Sequence, residues 1–391
     1  MNSLGAANAR FGIDLFRELK KTKDGNVFFS PVGISTTIGM IMLGTRGPTA
    51  LQLQKVFYPE KDTENSKAKA DEKVGSQDAE EIHHQLHMFL TDISKPTNDY
   101  ELTIVNRLFG EKTYLFLQKY LDYVKKYYHA TLEPVDFMNA ADESRKKINS
   151  WVERQTKEKI KDLFPEGSLN NTVKLVLVNT IYFKGQWDRA FLKEDTKEET
   201  FWLTKSTSKP VLMMKQCHSF LFARLEDWQA KILGIPYKNH DLCMFMLLPD
   251  EIDGLEKIVD QVSPEQLVEW TSPGYLEKRT VSVHLPRFQV QDTYDLKDSL
   301  SALGLGDAFS ERCADYSGMS PGSGLHAQKF LHRSFVEVTE DGTQATTGTG
   351  ASFTTATASD LEMFHCDHPF LFFIRHNESS AILFFGQFSS P

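Results

Sequence analysis

The sequence predicts a single mixed α+β domain, helix-rich in its N-terminal part and strand-rich towards its C-terminus. Three observations carry this. Apolar residues recur at three- and four-residue spacing in most segments up to Lys161. From Leu175 onward, short runs of β-branched and aromatic residues dominate. Neither a fixed-period repeat nor a Pro/Gly/Ser linker divides the chain. Of 391 residues, 40% are hydrophobic, and 28 Phe, 12 Tyr and 5 Trp supply a substantial core. The charged fraction of 25% excludes wholesale disorder.

The elements follow in order. Phe11, Leu15 and Leu19 lie one turn apart, and Lys20 and Lys21 sit where a helix C-terminus favours cations. Asp24-Gly25 breaks this helix, and residues 27–30 read as a short buried strand ending at Pro31. Residues 34–43 are apolar and small, which suits a buried helix. Thr49 is placed to cap the helix carrying Leu51, Leu53, Val56 and Phe57. Residues 59–79 are charged and nearly free of large apolar side chains, so they read as a solvated, mobile loop between helices. Helical pattern resumes at Ile82, Leu86 and Phe89. Strand pattern is expected over 102–109, helices over 114–128 and 143–161, and a central strand over 175–183. Further strands are expected over 232–237, 244–248, 281–285, 335–338, 370–374 and 382–388.

The net charge of −9, from 53 acidic and 44 basic residues, argues against nucleic acid as a partner. No run of about 18 apolar residues predicts a membrane span. The N-terminus lacks a basic stretch followed by an apolar one. Cys217, Cys243, Cys313 and Cys366 are too few and too scattered for a disulfide scaffold. The expectation is a cytoplasmic or nucleocytoplasmic monomer with reduced thiols, unconventional release being left open. The glycosylation sequons at Asn170 and Asn377 matter only on the secretory route.

Catalytic patterns are missing. No G-x-S-x-G, H-E-x-x-H or Walker A run occurs, and Gly348-Thr-Gly350 is only a fragment of a dinucleotide motif. His83 and His87, with Glu80, have the spacing of two metal ligands on one helix face, but a solvated polar face is the preferred reading. Cys217-His218 and His365-Cys366 are adjacent pairs, and adjacency in sequence says nothing about a nucleophile meeting its base. Lys125-Lys126 and residues 145–147 read as solvated basic faces. Neither an enzyme nor a cofactor nor a metal is implied.

Residues 342–359 are the least ordinary stretch: uncharged, without proline, and with seven Thr. Composition alone suggests a linker or stalk. Yet Thr is β-branched, and Ala and Gly are small, so the same segment can lie exposed or enter a sheet without burying a charge.

Several motifs in one order now resemble those of the serpin family, across essentially the whole chain. Residues 26–31 (NVFFSP) resemble its N-terminal run. Asn149, Trp151, Val152, Thr156, Lys159 and Ile160 resemble the helix that crosses its main sheet. Residues 179–187 (NTIYFKGQW) match N-x-[IVL]-Y-F-K-G-x-W, and 286–288 (PRF) match P-[KR]-F. Residues 340–343 (EDGT) resemble its hinge, and 367–372 (DHPFLF) with Phe385-Gly386 its C-terminal strands. The start, the end, residues 106–112 and the polar loop are similar to the ovalbumin-type intracellular branch.

This resemblance implies one serpin domain over 1–391, with a large central sheet and an exposed reactive-centre loop at 342–359. It implies a suicide inhibitor: a target protease cleaves the loop, and the loop's N-terminal half inserts into the sheet while the acylated protease is still attached. Counting the family's usual loop length from Gly342 places the reactive bond at Ala356-Thr357. The hinge comprises Glu340, Asp341, Gly342, Thr343, Gln344, Ala345, Thr346, Thr347, Gly348 and Thr349. By family geometry Thr343, Ala345, Thr347 and Thr349 would point inward after insertion. The sheet-opening region maps to Ser30, Asn179 and His332, whose polar side chains are expected to bond across the gap, and Trp187 to the point where insertion begins. Gly33 stands where the family often has a second serine. Thr346, Thr347 and Gly348 replace part of an Ala-rich run, which leaves a non-inhibitory serpin acting as a binding or substrate-like protein as the alternative. Ala356 preceded by Thr355 implies an elastase-like serine protease, or a papain-like cysteine protease reading Thr355.

Overall fold

A computed structural model of the chain describes residues 3–58, 77–342 and 360–391. The N-terminal part is mainly helical: α1 (Ser3–Lys20), β1 (Val27–Phe29), α2 (Pro31–Met42), α3 (Gly47–Gln54), α4 (Gln77–Ile93), β2 (Tyr100–Glu111), α5 (Gln118–Tyr128), β3 (Leu132–Val135) and α6 (Phe137–Gln155). Strands then dominate: β4 (Leu175–Gly185), β5 (Lys197–Trp202), β6 (Ser208–Leu225), β7 (Ala230–Pro236) and β8 (Leu242–Pro249). After the short helices α7 (Leu255–Gln261) and α8 (Pro264–Trp270) come β9 (Glu277–Pro286), β10 (Phe288–Asp295), α9 (Lys297–Leu300), β11 (Ala327–Val338), β12 (Leu361–His365), β13 (Phe370–His376) and β14 (Ile382–Phe388).

The strands build two sheets. One has nine strands, running β1-β14-β13-β8-β7-β6-β9-β12 with β5 beside β6. The other has five, ordered β10-β11-β4-β2-β3. In this second sheet β4 is antiparallel to β2, and β10 to β11, but β4 and β11 run parallel.

Alternation sorts β4 between two cores. Leu175, Leu177, Ile181 and Phe183 join the main core with α2, while Val176 and Val178 pack beneath α6 with Phe109, Ile148 and Val152. Burial on both faces explains why 175–183 reads as an almost unbroken apolar run. The two sheets meet through phenylalanines. Phe288 of β10, in the five-stranded sheet, contacts Phe370, Phe372 and Phe388 of the nine-stranded one, within which Phe28 of β1 stacks on Phe372 and Phe384.

Local chemistry moves several predicted boundaries. Asp136 caps α6 by accepting from the Asn139 N–H at 3.0 Å, so this helix starts before residue 143. It ends at Gln155 because Lys157 and Glu158 adopt left-handed φ of 50° and 64°. Helix α5 begins at Gln118 because the preceding chain turns away, the Leu117 N–H bonding the Met319 carbonyl. Thr49 is no cap. It lies buried inside α3, whose N-cap is Arg46, and its hydroxyl donates to the Cys313 carbonyl. His83 does not face solvent either: it is buried, paired with the Tyr128 hydroxyl, and burial lowers its pKa to about 4. Helix α4 begins at Gln77, and residues 59–76 of the expected loop lie outside the described residues. Cys217, Cys243, Cys313 and Cys366 are all free thiols.

Phe372 is fully buried where the two sheets join. Phe372→Ala is expected to cost about 3–5 kcal/mol, read as a lower urea midpoint with the far-ultraviolet dichroism of the folded state retained.

Candidate functional site

The least ordinary sequence, after Gly342, begins at the end of the strand β11. Here the chain is pinned to the segment after β4 by main-chain bonds. The Trp187 N–H donates to the Asp341 carbonyl at 2.9 Å, and the Phe191 N–H to the Glu340 carbonyl at 3.0 Å. The Trp187 indole N–H donates to the Thr339 carbonyl at 2.7 Å. The ring itself is buried and stacks on Tyr237, with centroids 4.4 Å apart and planes within 9°. Gly342 forms a parallel bridge with Trp187, and a Cβ there would lie 2.5 Å from the Trp187 carbonyl oxygen. Only glycine allows so close a backbone approach.

Glu340 is buried, with Arg287 at 3.4 Å and the Thr196 hydroxyl at 3.1 Å from its Oε2. Asp341 points outward to Lys184 at 3.3 Å. The described chain resumes at Asp360 and enters β12, the edge strand of the nine-stranded sheet. Residues 343–359 therefore link the middle of one sheet to the rim of the other.

Further down, β4 and β11 pair directly from Leu175↔Ala327 to Lys184↔Glu337. Midway, three polar side chains interrupt the apolar inner face in register: His332↔Asn179 and Asn179↔Asn106 are directly opposed. The Ser30 N–H donates to His332 Nε2 at 3.0 Å, so Nδ1 carries the proton and donates to Asn179 Oδ1 at 2.8 Å. Asn179 Nδ2 donates to Asn106 Oδ1 at 2.6 Å, and Asn106 Nδ2 to the Thr36 hydroxyl at 2.8 Å. Thr36 in turn donates to the Gly33 carbonyl at 2.6 Å. Every bond runs in the same donor-to-acceptor sense, which lets each polarise the next. Burial holds His332 neutral, its pKa lowered to about 3.

The family profile described as "Serpin (serine protease inhibitor)" matches residues 6–391. The chain is a serpin. Serpin B13 (headpin, or hurpin) of Homo sapiens is 70% identical over 391 residues, covering 100% of both chains. The Leukocyte elastase inhibitor of Equus caballus is 44% identical over 396 residues, again with 100% of both chains covered. Among solved structures, uncleaved ovalbumin aligns with a TM-score of 0.89 at 36% identity, covering 99% of this chain and 100% of that one. Maspin aligns at 0.88 and 32% identity, covering 100% and 99%.

In this serpin Ser30, Asn179 and His332 come together, while Trp187 lies at the far end of the same strand pair. Ser30 meets His332 through its backbone N–H. Its hydroxyl instead caps α2 by accepting from the Gly33 N–H at 3.0 Å. A Cβ on Gly33 would lie 2.7 Å from Asn179 Oδ1 and 2.8 Å from Ser30 Oγ, so the row leaves no room for a serine there. Thr343, Gln344, Ala345, Thr346, Thr347, Gly348, Thr349, Ala356 and Thr357 lie outside the described residues.

Sequence reasoning missed Asn106, Thr36 and Thr37, the last donating its hydroxyl to Asn106 Oδ1 at 2.7 Å. One signal for Asn106 was present. It falls in the register of Leu102, Ile104 and Leu108, so a polar residue occupies an inward position of β2.

His332 gives the serpin a pH dependence. Its ordinary pKa is about 6.5 and its native value is lowered to about 3. The unfolded chain therefore takes up a proton that the native site refuses. The stabilisation is complete above about pH 6.5 and is lost as pH falls towards 3. The melting temperature of the intact protein should drop more steeply across this window than that of His332→Gln, whose amide does not titrate.

Proposed function

We propose that this serpin is a suicide-substrate inhibitor of proteases. Its target attacks the Ala356-Thr357 bond, forms an acyl-enzyme on Ala356, and is trapped when the hinge beginning at Gly342 inserts between β4 and β11. The observation that carries this reading is the parallel β4–β11 pair, with Gly342 emerging at its end. A strand turning back from β11 would run antiparallel to both neighbours. It would replace one parallel pairing with two antiparallel ones, which are slightly the more stable kind.

The gain is large. New ladder bonds contribute about 0.5–1.5 kcal/mol each, and around ten of them give on the order of 10 kcal/mol, comparable to the stability of a whole domain. Against this, an unpartnered Thr347 hydroxyl costs about 1–3 kcal/mol and Gly348 roughly 0.5–1 kcal/mol. Neither reverses the sign, although both slow insertion, and a slow serpin is consumed as a substrate. This is the basis of the second reading, a substrate-like serpin that traps nothing.

Ala356 after Thr355 suits a small apolar primary pocket. An elastase-like serine protease is the proposed target class, in line with a relative named as a leukocyte elastase inhibitor. A papain-like cysteine protease that reads Thr355 is the second class. The proposed place of action is the cytoplasm. Among the described residues no helix is long and apolar enough to cross a membrane.

The test is incubation with an elastase-like and a papain-like protease. One of them should form a complex that survives SDS, with the cut mapped to Ala356-Thr357 by mass spectrometry. Thr347→Arg, which places a charge on the inward side of the inserting strand, should abolish the complex and leave clean cleavage. Clean cleavage of the unaltered protein by both enzymes would favour the substrate-like reading.

A further inference from the structure

Three strands converge at the rim of the nine-stranded sheet, away from the β4–β11 pair. Strand β12 is the edge, and among the described residues it pairs with β9 alone, in parallel, with His365 opposite His284. The chain leaving β12 is tied on both sides, by the Cys366 N–H to the His284 carbonyl at 2.8 Å and by the Trp202 N–H to the Asp367 carbonyl at 2.7 Å. Glu199, on β5, reaches the same place. Its Oε2 lies 3.1 Å from His365 Nε2, and its Oε1 is held by Lys215 Nζ at 2.8 Å.

One ligand atom from each of Glu199, His284 and His365 falls within 4.8 Å of the other two. The imidazoles lie face to tilted face, with centroids 4.4 Å apart. Among the described residues His284 Nδ1 has no hydrogen-bond partner and is shut off from water, an unusual state for an imidazole nitrogen, while Nε2 lies 3.4 Å from the Ser282 hydroxyl. We propose that Glu199, His284 and His365 form a transition-metal site of the zinc class, which fastens β12 to β9 and β5.

The donor set is two imidazole nitrogens and one carboxylate oxygen, the composition of three-ligand zinc sites that leave a fourth position to water. Ligands about 2.0–2.1 Å from a tetrahedral ion are about 3.3 Å apart, close to the 3.1 Å between Glu199 and His365. The present hydrogen bond between them gives way to the ion, which takes one lone pair from each. Burial and the neighbouring His365 lower the pKa of His284, keeping that ring neutral. The Lys215 ammonium opposes a cation here, but it is committed to the other carboxylate oxygen and is offset by nearby Asp367, which His284 also feels. His365 is 40% exposed at its side chain, so an ion enters from solvent.

The consequence concerns the strand that follows residues 343–359. An edge strand of five residues, held by one parallel ladder, is weakly retained. A metal joining its last residue to two other strands would resist its peeling away. Neither binding nor this effect depends on the protease reading, so failure here leaves that reading untouched.

The experiment is titration of zinc chloride into the full-length protein by calorimetry, with cobalt(II) as a spectroscopic probe. One zinc per chain is expected, with the visible absorption of four-coordinate cobalt. His365→Ala and Glu199→Gln should each weaken zinc binding at least tenfold. Glu378→Gln, which alters a second cluster formed with Asp92 and His376, should leave it unchanged. Amide exchange at 361–365 should slow when zinc is added. Zinc affinity that persists in His365→Ala, loss of affinity in Glu378→Gln instead, or no saturable binding by the unaltered protein would each overturn the proposal.

Discussion

At the centre of the five-stranded sheet, β4 and β11 run the same way and hold each other directly. Their ladder is reinforced on the inner face by the row from Ser30 through His332, Asn179 and Asn106 to Thr36 and Gly33. That row is buried in an apolar setting, so each bond lost leaves a partner without water to replace it. Such a contact is stiff while complete and weak once broken at one point. The β4–β11 seam is thus closed by a specific polar latch, and helix α2, which supplies Thr36 and Gly33, is fastened to the same latch.

The upper end of the seam is governed by different physics. Trp187 is buried on Tyr237, and its indole N–H and its main chain both hold the last residues before the loop. Gly342 passes so near Trp187 that no larger residue fits. Glu340 is anchored inward by Arg287 and Thr196, while Asp341 faces outward to Lys184. The chain thus leaves β11 from a fixed point at Gly342, beside the end of the β4–β11 pair. Phe288 of β10, edge-on to Phe372, packs the nine-stranded sheet against this one.

Much of the fold was legible because its signals are local. The buried run 175–183, the amphipathic α1 and the aromatic strands β13 and β14 announce themselves by periodicity. Strands β3, β5, β6, β10 and β12 did not, because they are edge or mixed-polarity strands whose pairing is decided by distant partners. The helix limits were wrong where a cap or a left-handed residue, at Asp136 or Lys157, overrode the apolar pattern. His83 was misread for a similar reason: it is polar in type but faces Tyr128 across a buried interface. Of the candidate site, family resemblance pointed to Ser30, Asn179 and His332, which meet in the structure. The direction of their bonds was not legible, since no one-dimensional pattern reveals that Ser30 bonds through its backbone or that Gly33 yields its space to Asn179.

The central claim is that the closed seam is not the lowest free-energy arrangement of the chain. On the proposed mechanism, a gain of about 10 kcal/mol from a new central strand would require a barrier to keep the uncleaved form as it is. The most direct measurement is calorimetric: the melting temperature of the intact protein against that of the same protein nicked once between Gly342 and Asp360, with both fragments still associated. The account predicts that the nicked form melts far higher, by tens of degrees. Equal or lower melting after the nick would contradict it.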